Sequence, residues 1–218
     1  MMNVAIDGPA GAGKSTVARQ VASALGYTYV DTGAMYRAVA WAAVQYKVAP
    51  TDLSAVCELA QRLEVRLEQG RVLADGQDIT DRIRTPEISN LTSPLSALPC
   101  VRTRLAALQR EMGLRGGVVM EGRDIGTVVL PNAEVKVFLT ASLSERVRRR
   151  RDELGESGIE LSTTQLELDI AARDARDASR DVAPMVPASD AILLQSDGLD
   201  IEQVVSRILE YCKAKVNT

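Results

Sequence analysis

The nine residues from Gly8 to Thr16 restrict the possible fold more than any other part of the sequence. They read Gly8-Pro9-Ala10-Gly11-Ala12-Gly13-Lys14-Ser15-Thr16 and fit the phosphate-binding loop G-x-x-x-x-G-K-[ST]. That motif requires a strand before it and a helix after it. Both are indicated here, by the apolar run 4–6 and by the helical pattern that begins at Val17. We therefore expect the chain to begin as a strand, a loop and a helix.

The residue types of this loop suit the binding of a nucleoside triphosphate. Glycines let backbone N–H groups close around the β- and γ-phosphates, and the following helix directs the positive end of its dipole toward them. Lys14 can place a charge on those phosphates, while Ser15 or Thr16 offers a hydroxyl to Mg²⁺. The loop predicts what is bound, but it leaves the reaction open.

Composition narrows the class of protein and of partner. The chain has 218 residues and a net charge of −3, with 46% hydrophobic and 25% charged residues, which is ordinary for one globular domain with insertions. The charge argues against a nucleic-acid or membrane-surface partner. Histidine is absent, so histidine acid–base chemistry and histidine metal ligation are excluded. Residues 1–7 resemble a strand more than a signal peptide, and we expect a cytoplasmic protein.

The cysteines favour the same compartment. Cys57, Cys100 and Cys212 are far apart in the sequence and form no C-x-x-C pair. We therefore expect neither a disulfide framework nor a zinc site, and a reducing compartment fits this usage.

Hydrophobic periodicity predicts an α/β protein. A strand over 3–7, a helix over 14–25 and a strand over 27–30 form a β-α-β unit, which implies a parallel sheet with helices on its faces. Further strands are expected at 117–121, 135–139 and 191–194. Further helices are expected at 34–46, from an N-cap at Thr51 to 62, at 99–113, at 142–155, from 162 past Arg180, and at 201–215.

One stretch departs from the parallel pattern. Residues 65–76 alternate between apolar and charged side chains, with turns at Gln69-Gly70 and Asp75-Gly76, and predict a small antiparallel meander. Because a meander is out of character for a parallel core, we expect residues 33–97 to be an insertion at one edge of that core.

Three clusters of residues could position the molecule that accepts a phosphoryl group. Each cluster also has a purely structural interpretation. In the segment Asp31 to Arg37, Arg37 suits bidentate phosphate binding, or it is a solvated side chain on a surface helix. The pair Arg123-Asp124 could bind a phosphate and a base edge, or it could form a salt bridge that braces a loop.

The third cluster has helical spacing. Arg173, Asp177 and Arg180 stand at i, i+4 and i+7, which would place them on one helix face, as substrate contacts or as a surface ion-pair ladder. The arginine-rich helix 146–151 is either a solvated face or a lid over the triphosphate, and Gly155 and Gly158 after it favour mobility.

Taken together, these motifs resemble the bacterial cytidylate (CMP) kinases. The resemblance runs through nearly the whole chain and rests on residues 8–16, Asp31-Thr32-Gly33-Ala34-Met35-Tyr36-Arg37, Gly122-Arg123-Asp124-Ile125-Gly126-Thr127, and Arg173-Asp174-Ala175-Arg176-Asp177 with Val182-Ala183-Pro184. It implies a P-loop nucleoside monophosphate kinase fold, in which helices flank a parallel sheet. The core would span about 1–32, 98–141 and 182–218, the monophosphate-binding insertion about 33–97, and the helical lid about 142–181.

The resemblance also implies an activity and a set of site residues. The activity is transfer of the γ-phosphoryl group of ATP to CMP or dCMP with Mg²⁺, by a monomer without nucleic-acid or membrane partners. Lys14, Arg123 and Arg180 would be catalytic. By matching position, Thr32, Tyr36, Arg37 and Arg123 would surround the CMP phosphate, Ser93, Arg102 and Asp124 would read cytosine, and Arg173, Asp177 and Arg180 would lie at the ribose and phosphates.

Two residues depart from the family pattern. Thr32 stands where the family often has serine, which keeps the hydroxyl. Ser15 stands where many members have glycine, so that Thr16 as well as Ser15 is a candidate for the metal-side hydroxyl.

The chemistry implied needs no general base, because the attacking phosphate oxygen of CMP is already anionic. The Asp124 carboxylate can accept from the N4 amine of cytosine, whereas uracil presents O4, a second acceptor. Two alternatives remain open from the residues: a kinase for another small acceptor, such as UMP, AMP or shikimate, and a nucleotide-switch or motor ATPase. A GTPase switch would require an Asn-Lys-x-Asp motif, and the chain has no Asn-Lys pair.

Overall fold

The computed structural model describes residues 1–68, 70–156 and 162–216. Gln69 of the first predicted turn and Gly158 of the predicted mobile segment lie outside these residues. The chain forms two compact units. Unit 1 comprises Met1–Tyr29 and Arg115–Thr218, and unit 2 comprises Val30–Leu114.

Eight strands and eight α-helices make up the described part of the chain. In chain order the strands are β1 (Val4–Asp7), β2 (Thr28–Asp31), β3 (Val65–Glu68), β4 (Arg71–Ala74), β5 (Gln77–Asp78), β6 (Val118–Gly122), β7 (Val135–Thr140) and β8 (Ile192–Gln195). The helices are α1 (Lys14–Leu25), α2 (Thr32–Gln45), α3 (Leu53–Arg62), α4 (Pro86–Leu95), α5 (Pro99–Gly113), α6 (Leu143–Glu156), α7 (Thr163–Ala178) and α8 (Ile201–Val216).

Unit 1 is built on the predicted parallel sheet. The strand order is β2-β6-β1-β7-β8, and Val4 of the central strand lies opposite Val119 on β6 and Val135 on β7. Strand β1 is buried along its whole length, as expected for a strand covered on both faces. In a parallel sheet all carboxyl ends meet at one edge, where ligands of open α/β sheets bind. The α/β fold class predicted from the sequence is confirmed.

Helices α6 and α7 of unit 1 pack together through a small apolar cluster of Val147, Leu154, Leu166 and Ile170. Helix α7 begins after its N-cap Ser162 and ends at Ala178. The prediction that Arg180 continues this helix face was wrong, because the helix stops two residues before it.

Unit 2 combines α2 to α5 with the antiparallel sheet β3-β4-β5, which confirms the predicted meander. Its core is larger than the apolar cluster between α6 and α7 and includes the buried side chains of Met35, Trp41, Val56 and Leu105. Helix α5 lies within this unit. The functional division into core, insertion and lid stays a prediction.

Two local predictions in unit 2 need correction. The N-cap of α3 is Asp52 and not Thr51, since the Asp52 carboxylate accepts from the backbone N–H of Ala55. Helix α4 was not predicted, because Ser, Asn and Thr are weak helix formers. Its start nevertheless carries a recognisable signal, the Thr85 N-cap followed by Pro86 at the first helical position.

The expectation of no disulfide was also wrong. Cys57 on α3 and Cys100 on α5 are joined by a disulfide with a Cα–Cα distance of 5.6 Å. Helices α3 and α5 pack together, which brings two cysteines 43 positions apart into range, a proximity that spacing along the sequence does not reveal. Cys212 is a free, buried cysteine on α8.

A separate property concerns the membrane. Within the described ranges, no helix combines the length and the apolar character that crossing a bilayer would need.

Candidate active site

The phosphate-binding loop connects β1 to α1 in unit 1, and its glycines are required by its geometry. Gly8 has φ +146°, and a Cβ there would lie 1.9 Å from the carbonyl oxygen of Leu139, so no larger residue fits. Gly13 adopts a left-handed conformation with φ 87° directly before Lys14, the first residue of α1. The loop therefore delivers its backbone amides and the lysine to the amino end of a helix.

Lys14 is buried, and its surroundings disfavour its positive charge. Its Nζ donates to the carbonyl oxygen of Pro9 at 2.8 Å. Burial, and then the positive charges of Arg123 and Arg173, lower the pKa of Lys14 well below that of a free lysine, while Glu121 opposes the change. A polyanionic ligand at the loop would reverse this balance, because opposite charge favours the protonated amine.

Two arginines of α6 also bind carbonyl groups of the loop. Arg146 donates through Nη1 to the carbonyl oxygen of Ala10 at 3.0 Å, and Arg149 donates to that of Ala12 at 3.1 Å. Asp174 on α7 pairs with Arg146 and accepts from the Ala10 N–H at 3.2 Å. The interpretation of this helix as a purely solvated face is therefore wrong for Arg146 and Arg149.

A cavity of 710 Å³ lies beside the loop. It is lined by residues 11–17, Glu145, 148–150, Asp152, Glu153, Ser196, 199–201 and Val204. Arg149 links two parts of this wall, since it donates to Ala12 and to both the hydroxyl and the carbonyl of Ser196. Sequence reasoning missed Ser196, Leu199 and Asp200, although their place directly after a predicted core strand is a usable signal.

A charged cluster stands at the carboxyl end of β6, next to the strand that leads into the loop. The Asp177 carboxylate accepts from Arg123 Nε at 2.9 Å and from Arg180 Nη2. Asp177 and Arg180 are almost fully buried, and Arg123 is partly buried. Three residues predicted from separate motifs are thus brought into direct contact, although Arg180 reaches Asp177 from beyond the end of α7.

Asp124 is buried beside this cluster, and a second buried carboxylate lies near it. Asp7, the last residue of β1, accepts from the backbone N–H groups of Ile125 and Gly126 at 2.8 and 2.7 Å. Burial raises the pKa of Asp7 to about 6, with a smaller contribution from the charge of Asp124, while the two backbone hydrogen bonds oppose it. Asp7 was not among the site residues predicted from the sequence.

Unit 2 carries the other five predicted acceptor residues. Thr32 is buried at the start of α2. Arg37 pairs with Asp31 at 2.8 Å, and Asp31 also caps α2 by accepting from the Ala34 N–H. Asp31 therefore fixes both the start of the helix and the orientation of Arg37.

Tyr36, Ser93 and Arg102 form a second group in unit 2. The Arg102 guanidinium lies 5.5 Å from the centre of the Tyr36 ring, within cation–π range, and donates to the Ser96 carbonyl at 3.2 Å. The Ser96 hydroxyl in turn donates to the carbonyl of Ser93 at 2.9 Å. These three predicted residues are thus connected within one unit.

The residues present fit Mg²⁺ only as a partner of the nucleotide. Ser15 and Thr16 are exposed on the first turn of α1, and both line the cavity. Over residues 1–68, 70–156 and 162–216, no group of three or more His, Cys, Asp or Glu side chains could hold a metal ion. Mg²⁺ commonly keeps waters and binds phosphate oxygens, so one hydroxyl beside a triphosphate is a suitable donor set.

Comparison with known proteins gives a consistent result. The family described as "Cytidylate kinase" matches residues 4–214. The cytidylate kinase of Desulfitobacterium hafniense (strain Y51) is 51% identical over 220 residues, covering 100% of this chain and 95% of that protein. The bifunctional pantoate ligase/cytidylate kinase of a Nostoc species is 49% identical over 98% of this chain, which spans 42% of that longer protein.

Among solved structures, similarity extends to the fold alone. A gluconokinase from Sinorhizobium meliloti 1021 matches with a TM-score of 0.50 and 17% identity, covering 99% of this chain and 94% of that one. At this identity the match supports the arrangement of sheet and helices and carries no information about the acceptor.

Proposed function

The chain belongs to the cytidylate kinase family and phosphorylates CMP with ATP, and we propose that the charged groups at the carboxyl edge of the unit 1 sheet carry out the transfer. The observation that supports this assignment is the convergence of cations there. Lys14, Arg146 and Arg149 all donate to carbonyls of the phosphate-binding loop, and Arg123 emerges at the end of the neighbouring strand. Such preorganised positive charge is what a phosphoryl transfer requires.

On the donor side, residues 8–16 bind the phosphates of ATP. The amides of the loop and Lys14 hold the β- and γ-phosphates, and Lys14 regains its full charge when they arrive. The cavity beyond the loop accommodates the nucleoside, with Ser196, Leu199 and Asp200 in its wall. When ATP binds, Arg146 and Arg149 release the carbonyl groups of the loop and donate to phosphate oxygens instead. Helix α6 thereby acts as a lid.

On the acceptor side, Arg123 and Arg180 bind phosphate and leave Asp177 free to accept from the ribose hydroxyls. Arg173 lies close enough to affect the charge of Lys14 and contributes to the same phosphates. Thr32, Tyr36 and Arg37 also contact the CMP phosphate, and Ser93 and Arg102 contact the base, an assignment that rests on their sequence motifs. The acceptor can equally be dCMP.

Asp124 selects cytosine. Its buried carboxylate can accept from the N4 amine of cytosine, and it would face the O4 oxygen of uracil without a proton between them. An unpaired buried acceptor costs about 1–3 kcal/mol, which discriminates two bases by roughly five- to a hundredfold.

Ser15 or Thr16 would hold Mg²⁺ through a hydroxyl when it binds together with ATP, and the metal would then supply neutralisation of the negative charge on the transferring group. The attacking oxygen of CMP is anionic at neutral pH, so the side chains of this chain bind and orient but need not remove a proton. We further propose a cytoplasmic monomer that has no nucleic-acid or membrane partner.

The experiment that tests the acceptor is a screen of ADP release with single acceptors. CMP and dCMP should stimulate release strongly, UMP weakly, and AMP or shikimate not at all. Steady ATP hydrolysis without any acceptor would instead favour a nucleotide-switch ATPase.

The test of the base-reading residue is Asp124→Asn. An amide can present its N–H₂ to uracil O4, so the ratio of kcat/KM for CMP over UMP should fall by about tenfold or more. An unchanged ratio would remove Asp124 from this role.

A further inference from the structure

Asp7 is a buried carboxylate that has no role in the transfer proposed above. It is 5% exposed at the end of β1, and both of its oxygens are engaged, Oδ1 by the Ile125 N–H at 2.8 Å and Oδ2 by the Gly126 N–H at 2.7 Å. Hydrogen bonds that an ionised carboxylate accepts from backbone N–H groups are stronger than bonds between neutral groups. The two bonds attach the residues that follow Asp124 to the strand that leads into the phosphate-binding loop.

This segment passes close to Asp7 and to the side chain of Lys136. A Cβ on Gly126 would lie 3.4 Å from Asp7 Oδ2 and 3.2 Å from Cδ of Lys136 on β7. The segment is also irregular, since residues Ile125–Val129 form a single π-helical turn that follows directly after Asp124. The backbone around Asp124 is therefore held from two sides, by Asp7 through Ile125 and Gly126, and by the N–H groups of Val128 and Val129, which donate to the Asp124 carbonyl.

We propose that Asp7 is a positioning residue that holds Asp124 in the orientation needed to distinguish cytosine from uracil. The proposal rests on the proposed function, in which Asp124 reads the base. Asp7 directly precedes Gly8 in the sequence. The end of β1 therefore leads into the phosphate-binding loop and also fixes the position of the base-reading carboxylate. The phosphate-binding loop and the selectivity for the acceptor base therefore both depend on the end of β1.

The protonation state of Asp7 supports the same inference. A proton on the carboxyl group would convert one of the two acceptors into a donor facing a backbone N–H, which breaks a hydrogen bond. The charged groups around Asp7 are Asp124, whose charge raises its pKa, and Lys14 on α1, whose charge lowers it. Lys136 on β7 lies against the same glycine but gives its Nζ to Asp190 and to the carbonyl of Pro131.

The test is a double-mutant cycle between Asp7→Asn and Asp124→Asn, read as the ratio of kcat/KM for CMP over UMP. Misplacement of a binding group by about 1 Å can cost up to about 10²-fold, and we expect Asp7→Asn to lower the ratio by about tenfold, mainly through KM for CMP. In the Asp124→Asn background, Asp7→Asn should lower the ratio no further.

The outcomes separate this proposal from the function on which it rests. If Asp124→Asn lowers the ratio and Asp7→Asn does not, Asp7 does not position Asp124, and the base-reading role stands. If Asp7→Asn lowers the ratio equally in both backgrounds, it acts independently of Asp124, and the proposal is overturned. If Asp124→Asn leaves the ratio unchanged, the base-reading role and the positioning role both fail.

A second variant keeps the proposal testable if Asp7→Asn does not fold. Asp7→Glu keeps the charge but displaces both carboxylate oxygens by one methylene from the N–H groups of Ile125 and Gly126, and it should reduce the same ratio, whereas a wild-type ratio in folded Asp7→Glu would contradict the proposal. The matched control is Asp52→Asn, which alters another carboxylate that accepts from a backbone N–H, at the cap of α3. It should leave the CMP over UMP ratio unchanged, and a drop there would mean that any lost cap has this effect.

Discussion

The phosphate-binding loop and the arginine cluster that follows β6 are both rich in positive charge, but they stabilise it differently. Lys14 is buried with a carbonyl oxygen as its hydrogen-bond acceptor, and its pKa is lowered by burial and by neighbouring arginines. Arg123 and Arg180 are held by one buried carboxylate, Asp177. The loop therefore carries a charge that its surroundings disfavour, whereas in the cluster the Asp177 carboxylate already offsets part of the positive charge of the two arginines.

This difference indicates how each half of the site responds to its substrate. A triphosphate supplies the counter-charge that the loop lacks, so binding relieves an unfavourable state of the free protein. A nucleoside monophosphate must instead compete with Asp177 for the arginines, which makes the cluster more selective about the geometry of its ligand. We expect substitutions to affect folding with opposite signs in the two regions.

The largest effect is expected from Lys14→Met. Loss of the charge on the transferring phosphates should lower kcat by about 10³-fold. The free protein should at the same time become more stable by about 1–3 kcal/mol, because a desolvated cation is replaced by an apolar side chain. Steady-state kinetics and urea unfolding of the nucleotide-free protein measure the two effects, and a loss of stability would contradict the account of the loop.

Asp177→Asn should change stability in the opposite direction and destabilise the protein. Removing the carboxylate takes the shared counter-charge away from Arg180, which is buried, and from Arg123, which is partly buried, and such a change costs about 3–5 kcal/mol of unfolding free energy. KM for CMP should rise together with the instability. If the variant unfolds at the same urea concentration as the wild type, the Asp177 carboxylate does not stabilise the two arginines.

Reduction of the Cys57–Cys100 disulfide affects unit 2 and neither charged region. The bond joins two residues that are 43 positions apart in the sequence. Loop-closure entropy predicts a loss of about 2–4 kcal/mol of stability when the bond is reduced. Urea unfolding with and without a dithiol reductant tests this, with Cys212→Ser as the control for the free cysteine. Identical unfolding curves would show that the bond adds nothing to stability.

The smallest effect is the pH dependence contributed by Asp7. Its pKa of about 6 in the folded protein is higher than the 3.8 of an exposed aspartate, so the folded state binds the proton more tightly. The stabilisation is fully present below pH 3.8 and is lost as pH rises through 6. Relative to Asp7→Asn, the wild type should gain about 1 kcal/mol on going from pH 7 to pH 5. A difference that is constant with pH would exclude a raised pKa.

The sequence predicted much of the fold because its signals are local. Helix α1 and helix α5 were predicted at their observed bounds, since apolar spacing and a terminal glycine or an initial proline mark both. Helix α4 was not predicted because its residues have low helix propensity, whereas packing in the folded protein favours a helix there. The disulfide and the attachment of Asp7 to Ile125 and Gly126 depend on which distant segments meet, and no periodicity in the chain encodes that.

The candidate site was predictable to a similar extent. The motif residues Arg123, Asp177 and Arg180 are in contact, but Arg180 reaches Asp177 from the segment after α7 and not from a shared helix face. Ser196, which forms the wall beside the loop together with Arg149, has no motif and was found only from the structure, whereas Arg149 belongs to the arginine-rich helix that the sequence offered as a candidate lid. The roles of the predicted residues toward ATP and CMP stay predictions.

The most direct test of the contrast between the two regions is the titration of Lys14 itself. NMR of the protein with isotope-labelled lysine side chains, assigned with Lys14→Met, gives its pKa with and without a non-hydrolysable ATP analogue. We expect a pKa well below 10.5 in the free protein and a clear rise when the analogue binds. A value near 10.5 in both states would show that the loop carries its charge without cost, and would contradict the account.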